Sequence, residues 1–100
     1  MYIYNVTINT AQEISEEWLL WMISKHIPDV LATGCFVSHR LCQLLNIEDE
    51  GSTYCVQYFY REESDLELYK NKFAKNLQEE HLQKFGNKAL AFRSTMKVLE

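Results

Sequence analysis

The sequence contains few of the residues that interrupt regular structure. One proline, Pro28, and three glycines occur in 100 residues, and the glycines stand far apart. A phosphate-cradling loop needs glycines at close spacing ahead of a helix, so this class of nucleotide site is excluded. No apolar run reaches the roughly 18 to 20 residues of a membrane-spanning helix, and we therefore expect no membrane span.

Cysteines are also few, and their number is odd: Cys35, Cys42 and Cys55. They lack C-x-x-C spacing and fall in predicted strands among apolar neighbours, which predicts buried thiols in a reducing compartment. His39 and His81 are too far apart in sequence to form a metal site with them, and we expect no cofactor. Because the sequence starts with a strand pattern and no basic-then-apolar leader, we expect a cytoplasmic protein.

A basic surface of the kind that binds nucleic acid is missing as well. Lys and Arg number 10 against 14 Asp and Glu, which gives a net charge of −4. The one concentration of lysines alternates with glutamates, which is typical of a solvated helix face; it comprises Lys70, Lys72 and Lys75 with Glu67, Glu79 and Glu80. We therefore expect no nucleic-acid partner.

The sequence does contain six elements in the order β-α-β-β-α-β. Strand-forming residues, mainly β-branched and aromatic, predict strands over residues 2–9, 35–47, 52–61 and 89–98. Helical signals predict a first helix that ends or kinks near Ile27, with a short helical turn over 29–32 as an alternative continuation, and a second helix over 64–85. This order is the signature of an α+β, ferredoxin-like sandwich with a four-stranded antiparallel sheet and two helices on one face. We expect one domain over residues 1–98, with Leu99 and Glu100 as a possible expression-tag remnant.

Local signals mark the ends of these elements. Ser15 is the expected N-cap of the first helix, and Thr10 with Glu13 is an alternative start. Ser64 with Glu67 predicts a capping box at the second helix. The acidic, glycine-ended link over residues 48–51 predicts a hairpin between the second and third strands.

The two helices differ in how much apolar surface they carry. The second has one narrow stripe, which covers one sheet. The first is apolar over more than half of its circumference, through Ile14, Trp18, Leu19, Trp21, Met22, Ile23 and Ile27. A helix of this kind is buried on more than one side or packs against another chain.

Alternation along the strands assigns side chains to two sheet faces. The residues expected toward the helices are Val6, Ile8, Val56, Tyr58, Leu90 and Phe92. The opposite face is then mixed, with Ile3, Asn5, Thr7, Phe36, Ser38, Arg40, Cys42, Gln57, Phe59, Arg93 and Thr95. This mixture favours a homodimer whose sheets pack face to face and enclose a cavity, over a monomer with a solvated sheet face.

That cavity defines the candidate ligand-binding residues, which are Asn5, Trp18, His26, Gln57 and Arg93. Arg93 needs a carboxylate across the dimer or a small carboxylate ligand, because burying an unpaired cation is costly. His26 is the candidate general base, since imidazole titrates near neutral pH. The simpler interpretation is a packed histidine bonded to a carbonyl freed by Pro28, and no motif specifies a reaction.

The run from Trp18 to Gly34, WLLWMISKHIPDVLATG, resembles a family of small bacterial proteins known only as a domain of unknown function. The resemblance extends to Tyr-Asn-Val-Thr near the start, Tyr-x-Val-Gln-Tyr at 54–58 and Lys-Phe-Gly-x-Lys-Ala-Leu-Ala-Phe-Arg at 84–93. It implies a dimeric α/β-barrel type of fold and no assigned activity.

A Trp followed by a His beside a Pro on the first helix is similar to a wider group of dimeric α/β-barrel proteins. These include ether-degradation-type proteins, antibiotic-biosynthesis monooxygenases and muconolactone isomerases, several of which bind or transform small hydrophobic molecules between sheet and helices. Our leading hypothesis is a small homodimeric binding or structural module. The alternatives are a cofactor-independent oxygenase or isomerase with His26 as base, and a regulatory ligand sensor.

Overall fold

The computed structural model describes residues 1–45 and 50–100. Its strands are β1 (Tyr2–Thr10), β2 (Ser38–Gln43), β3 (Ser52–Tyr60) and β4 (Ala89–Lys97). They form one antiparallel sheet in the order β2-β3-β1-β4. The α-helices are α1 (Ser15–Trp21), α2 (Ile27–Ala32), α3 (Glu63–Lys72) and α4 (Ala74–Phe85). The predicted ferredoxin-like α+β fold is thereby confirmed.

The second strand is shorter than the predicted 35–47. It begins at Ser38 because Cys35 and Phe36 enter the core ahead of the strand, where both are buried. The first two residues of the predicted 48–51 hairpin link lie outside the described part of the chain. Its last residue, Gly51, has φ +83, and a side chain there would collide with the backbone oxygen of Thr10. Only glycine fits this close approach between the hairpin and β1.

The first helical stretch is a chain of short segments. A 3₁₀ turn (Gln12–Ile14) leads into α1, and a π-helical segment (Met22–His26) joins α1 to α2. The Ile27 N–H donates to the Met22 carbonyl, five residues back, so the irregular turn falls just before Pro28. The predicted kink near Ile27 is confirmed, and the helix continues beyond it. Ser15 makes no capping bond; its buried hydroxyl donates to the Ala11 carbonyl instead.

The second helical stretch breaks at Phe73, between α3 and α4. Its capping box is formed by Glu62 and Asp65, and the Glu62 N–H donates to Asp65 Oδ2 over 3.0 Å. The predicted box of Ser64 and Glu67 is wrong. The chain is still extended at Glu62, which makes this residue the N-cap and places Ser64 inside the first turn.

Strand register decides which side chains face the helices. Val6 pairs with Val56 on β3 and with Arg93 on β4, so these three share the helix side. Leu90 and Phe92 are therefore on the other side, 61% and 71% exposed, and their predicted burial is wrong. The core also includes Phe36, which contacts Tyr4, Tyr58 and Tyr69 and not the opposite face.

The sheet surface away from the helices, called the open face below, has no covering element within the described residues. It carries Ile3, Asn5, Thr7 and Asn9 of β1, Ser38, Arg40 and Cys42 of β2, Thr53, Cys55, Gln57 and Phe59 of β3, and Leu90, Phe92, Ser94 and Met96 of β4. Cys35 is buried as predicted, but Cys42 is exposed and Cys55 half-buried. Those two thiols face away from the core because they lie on the open face.

The wide apolar arc of the first helix leaves part of its surface uncovered. Leu20 and Ile23 are 63% and 55% exposed, while Trp18 and Met22 are buried against the sheet. None of the helices in the described ranges is long and apolar enough to cross a membrane.

Candidate functional site

The structure separates the five predicted ligand-binding residues into two groups. Asn5 and Gln57 lie on the open face, as expected. Trp18, His26 and Arg93 lie on the helix side of the sheet. The predicted arrangement, with Arg93 beside Asn5 and Gln57, is wrong because β4 pairs with β1 in the opposite phase. Arg93 therefore belongs to a site on the helix side of the sheet.

A groove of about 670 Å³ runs between β4 and the α3–α4 pair. Its lining combines cations, amides and apolar groups, namely Tyr4, Lys70, Ala74, Lys75, Gln78, Glu79, Leu82, Arg93, Ser94 and Thr95. Pockets that hold small molecules commonly measure about 300 to 1,000 Å³, so the groove has room for a small ligand.

A small recess lies deeper, between the sheet and the helices. It measures about 30 Å³ and is lined by His26, His81, Met22, Tyr58 and Tyr69, among others. Tyr4, Gln78 and Arg93 line both the groove and the recess. A space of this size accommodates about one water molecule or one functional group of a ligand. A ligand in the groove would therefore reach the recess between these three residues.

A buried polar contact joins Trp18 to His81 beside the recess. The Trp18 indole Nε1–H donates to His81 Nε2 over 2.9 Å, and Trp18 is fully buried while stacking on Tyr54. His81 Nε2 is thus an acceptor, so the neutral ring carries its proton on Nδ1. Burial, together with the neighbouring charges of His26 and Arg93, lowers the pKa of His81 to about 4. His81 is therefore uncharged at neutral pH.

His26 lines the recess from the π-helical segment. Its ring stacks on Trp21 at 5.1 Å and lies 5.9 Å from His81, measured between ring centroids. Its Nδ1 is buried and has no hydrogen-bond partner among the described residues. The predicted bond to a carbonyl freed by Pro28 is not found there. Burial lowers the pKa of His26, with partial compensation from Glu80 and Asp29, so the ring is a neutral base near pH 7.

Arg93 is the cation shared by the groove and the recess. The expectation that Arg93 is a buried cation in need of a partner is wrong, because its side chain is exposed at the groove. Within the described ranges it forms no ion pair with a carboxylate. Burial raises the pKa of the Tyr4 phenol, while Arg93 and Gln78 act in the opposite direction through charge and hydrogen bonding. Burial also raises the pKa of Tyr58 and Tyr69. Tyr4 and Tyr69, whose pKa values also respond to the charge of Arg93, are therefore neutral phenols that can donate or accept hydrogen bonds.

On the open face, the polar groups are largely satisfied by each other. Arg40 donates from Nε and Nη2 to Gln57 Oε1 over 3.3 and 3.0 Å, and its guanidinium lies 5.8 Å from the Phe59 ring centroid. Asn5 donates to Thr7 Oγ1 over 3.0 Å, and its Oδ1 is buried with no partner among the described residues. Arg40, not Arg93, is thus the guanidinium beside Gln57.

Sequence reasoning missed Tyr4, Gln78 and His81 as site residues. For His81 a signal exists in the spacing of α4, because Ala74, Gln78, His81 and Phe85 recur at intervals of three and four residues. That spacing places the histidine on the buried stripe of the helix. In the described part of the chain, no three His, Cys, Asp or Glu side chains group as a metal site.

These features define a ferredoxin-like α+β domain with a mixed polar and apolar groove at the β4 edge. Residues 1–99 match the model of the family described as Domain of unknown function (DUF4286), and the chain belongs to that family. No curated protein matches the sequence.

Several solved structures share the fold at low sequence identity. A dimeric ferredoxin-like protein from an uncultured marine organism is 17% identical, with a TM-score of 0.70 over 99% of this chain and 95% of that one. A second such protein from an uncultured marine organism is 13% identical, with a TM-score of 0.71 over 99% and 94%. An ethyl tert-butyl ether degradation (EthD) family protein from Bacillus halodurans C-125 is 11% identical, with a TM-score of 0.70 over 99% and 100%. At these identities the likeness shows the fold alone.

Proposed function

We propose that this chain is a homodimeric binding module that takes a small organic anion with an apolar portion into the groove. The observation that carries the proposal is the placement of Arg93. This residue lines both the groove and the recess, as do Tyr4 and Gln78, and it has no carboxylate partner in the described ranges. Arg93 is exposed and has no protein partner of opposite charge in those ranges, and a guanidinium of this kind can bind a ligand carboxylate through paired hydrogen bonds.

The charges around the groove support an anionic ligand. Arg93, Lys70 and Lys75 line it with one carboxylate, that of Glu79, although the chain as a whole carries a net charge of −4. A local excess of positive charge in a concave site raises the concentration of anions there. The groove thus attracts an anion that the rest of the surface would repel.

The deeper surroundings favour an apolar portion on the same molecule. Tyr4, Tyr58 and Tyr69 lie beside the recess with Met22 and Val30, and all five are buried. A carboxylate held by Arg93 would leave the remainder of a small ligand against Ala74 and Leu82 of the groove. Ligand sites commonly combine a mostly apolar lining with a few placed polar groups.

Isothermal titration calorimetry with benzoate tests this proposal, with benzyl alcohol as the uncharged counterpart. We expect benzoate to bind and benzyl alcohol to bind at least tenfold more weakly. Arg93→Gln should weaken benzoate binding by about tenfold or more, because a hydrogen bond to a charged group contributes about 1.5 to 3 kcal/mol. Arg40→Gln is the matched control, since it removes a guanidinium from the open face. Equal affinities of the Arg93 and Arg40 variants, or no benzoate binding, would contradict the proposal.

The homodimer is proposed from the β4 side of the open face. Leu90, Phe92 and Met96 of β4 are 61%, 71% and 41% exposed, and Ile3 pairs with Met96 on the neighbouring strand. Exposed apolar side chains in one cluster mark interaction surfaces, and two ferredoxin-like proteins of similar fold are dimeric. A second copy related by a two-fold axis would cover this surface with the same residues.

A catalytic role for His26 is the second candidate function, and the unpartnered Nδ1 favours it. A neutral imidazole nitrogen beside the recess can accept a proton from an acidic C–H group of a bound molecule, the first step expected of an isomerase or a cofactor-independent oxygenase. Levulinate in D₂O tests this step, with deuterium uptake next to the ketone followed by NMR. We expect uptake above the buffer rate that His26→Gln abolishes. Uptake at the buffer rate with levulinate bound would exclude this role.

A further inference from the structure

The register of the β2–β3 hairpin places two thiols opposite each other on the open face. Cys42 pairs with Cys55 in the ladder, and both are free thiols. Cys42 is exposed and Cys55 half-buried, with Cys55 Sγ 3.6 Å from Thr7 Oγ1. The third cysteine, Cys35, is buried in the core on the helix side. One pair of thiols is thus within reach both of each other and of dissolved oxidants.

The spacing of this pair follows from its position in the ladder. The Leu44 N–H donates to the Thr53 carbonyl over 2.8 Å, which marks that pair as hydrogen-bonded. Hydrogen-bonded pairs recur at every second position of an antiparallel ladder, so Cys42 and Cys55 form another, with Cα atoms about 5.5 Å apart. Disulfides span Cα distances of about 4.4 to 6.8 Å, and a bond between these residues is therefore within reach.

The same position makes the bond strained. Directly opposed Cβ atoms lie about 4.5 to 5.5 Å apart, and hydrogen-bonded pairs take the wider end of that range. The Cβ atoms of a relaxed disulfide are about 3.8 Å apart, so closing this one must draw the strands together. β2 is an edge strand with a single neighbour, which allows some movement. Strained, exposed disulfides are the easily reduced ones.

We propose that Cys42 and Cys55 form a reversible intramolecular disulfide, a redox-sensitive modification site on the open face. The site does not depend on the groove or on the proposed ligand. It lies on the β2–β3 half of the open face, where Arg40 and Gln57 are its neighbours, and not on the apolar β4 side.

Hydrogen peroxide is the oxidant class that we name for the reaction. One thiolate attacks a peroxide oxygen, so that an S–O bond forms, the O–O bond breaks and water leaves after protonation. The second thiolate attacks the resulting sulfenic sulfur, so that the S–S bond forms, the S–O bond breaks and a second water leaves. Two thiols lose two protons and two electrons, and the peroxide is reduced to two water molecules. Glutathione reverses the step by thiol–disulfide exchange.

Peptide mapping tests this site, because trypsin leaves Cys42 and Cys55 together in residues 41–61 and Cys35 in residues 26–40. The full-length protein is treated with hydrogen peroxide, unfolded and alkylated before digestion. We expect the 41–61 peptide to lose two hydrogens and escape alkylation, while the 26–40 peptide is alkylated. Cys42→Ser and Cys55→Ser should abolish the mass loss, and Cys35→Ser should preserve it.

Several results would overturn the proposal. One is a 41–61 peptide that is alkylated at both cysteines after peroxide treatment. Another is a bond from Cys35 to either thiol, or a bond between two chains. A third concerns the strain. We expect millimolar reduced glutathione to reduce the disulfide in the folded protein. A disulfide that stays oxidised under this treatment would contradict a reversible site.

Discussion

At the scale of single residues, the bond between Trp18 and His81 anchors the inner wall of the recess. It joins the first helical stretch to α4 through two buried side chains, and each satisfies a polar atom of the other. Removing one partner leaves the other buried without a hydrogen bond, which costs more than the bond itself contributes.

Trp18→Phe should therefore lower the free energy of unfolding by about 2 to 4 kcal/mol, through the orphaned His81 nitrogen and the lost volume. Trp21→Phe is the matched control, because Trp21 is only half-buried and makes no hydrogen bond among the described residues. We expect less than half of the loss there, measured by urea denaturation. Equal losses in the two variants would show that the Trp18–His81 bond adds nothing beyond the volume of the ring.

His81 also gives a prediction for pH dependence. Its pKa falls from 6.5 to about 4 on folding, so the unfolded chain binds the proton more tightly and protonation favours unfolding. The stability that this neutral ring contributes is fully present above about pH 6.5 and is lost as the pH falls toward 4. Summed over this window the loss is about 3 kcal/mol at most.

The measurement compares the wild type with His81→Gln by urea denaturation between pH 7 and pH 4. Because carboxylates also titrate at the acidic end, the difference between the two proteins isolates the histidine. We expect the free energy of unfolding of the wild type to fall more steeply than that of the variant. Parallel pH profiles would exclude a depressed pKa for His81.

At the scale of elements, the N-terminal cap of α3 differs between the sequence prediction and the structure. The sequence offers Ser64 with Glu67, but the structure uses Glu62 with Asp65. Asp65→Ala should destabilise the protein by about 1 kcal/mol, because it removes the acceptor for the Glu62 N–H. Ser64→Ala should change stability by less than about 0.5 kcal/mol. The opposite ranking in thermal or urea unfolding would restore Ser64 as the cap.

The order and type of the elements could be predicted because each carries its own local pattern. Residues 2–9 are mainly β-branched and aromatic, and Pro28 marks the irregular turn that the structure shows at Met22–His26. The cap of α3 was less predictable, since Ser64 with Glu67 matches the usual capping-box pattern and the structure uses Glu62 with Asp65 instead. What decides between them is the path of the chain after β3, which is a tertiary property.

The site was harder to predict than the fold, for a physical reason visible on β4. Alternation fixes which residues of a strand share a face but not which face meets the helices. On β4 the more apolar set, Leu90 and Phe92, lies on the open face, and Arg93 lies on the helix side, where it is exposed. A prediction from hydrophobicity alone therefore turns the wrong face of β4 toward the helices and puts Arg93 with Asn5 and Gln57 on the open face.

At the scale of the whole molecule, the inverted phase of β4 explains both proposed surfaces. Because side chains alternate along the strand, the same phase places Arg93 at the groove and Leu90, Phe92 and Met96 on the open face. Phe92→Asp should therefore convert the proposed dimer to monomer in sedimentation velocity, because a charge in an apolar interface is left without compensation. Leu20→Asp, on the exposed side of α1, is the matched control and should leave the dimer intact.

Two outcomes would contradict the β4 interface. A wild-type protein that sediments as a monomer at high concentration has no such dimer. Dissociation of the Leu20→Asp variant, with the Phe92→Asp variant still dimeric, would move the interface to the first helix.

The central claim is that the groove around Arg93, and not the open face, receives a small organic anion. A benzoate titration followed by ¹⁵N-resolved NMR tests it directly, because each surface carries its own reporter groups. We expect the Arg93 Nε–H and the Gln78 side-chain amide to shift together, while the side-chain amides of Asn5 and Gln57 stay in place. Shifts confined to Asn5, Gln57 and Arg40, with Arg93 and Gln78 unmoved at saturation, would contradict the account.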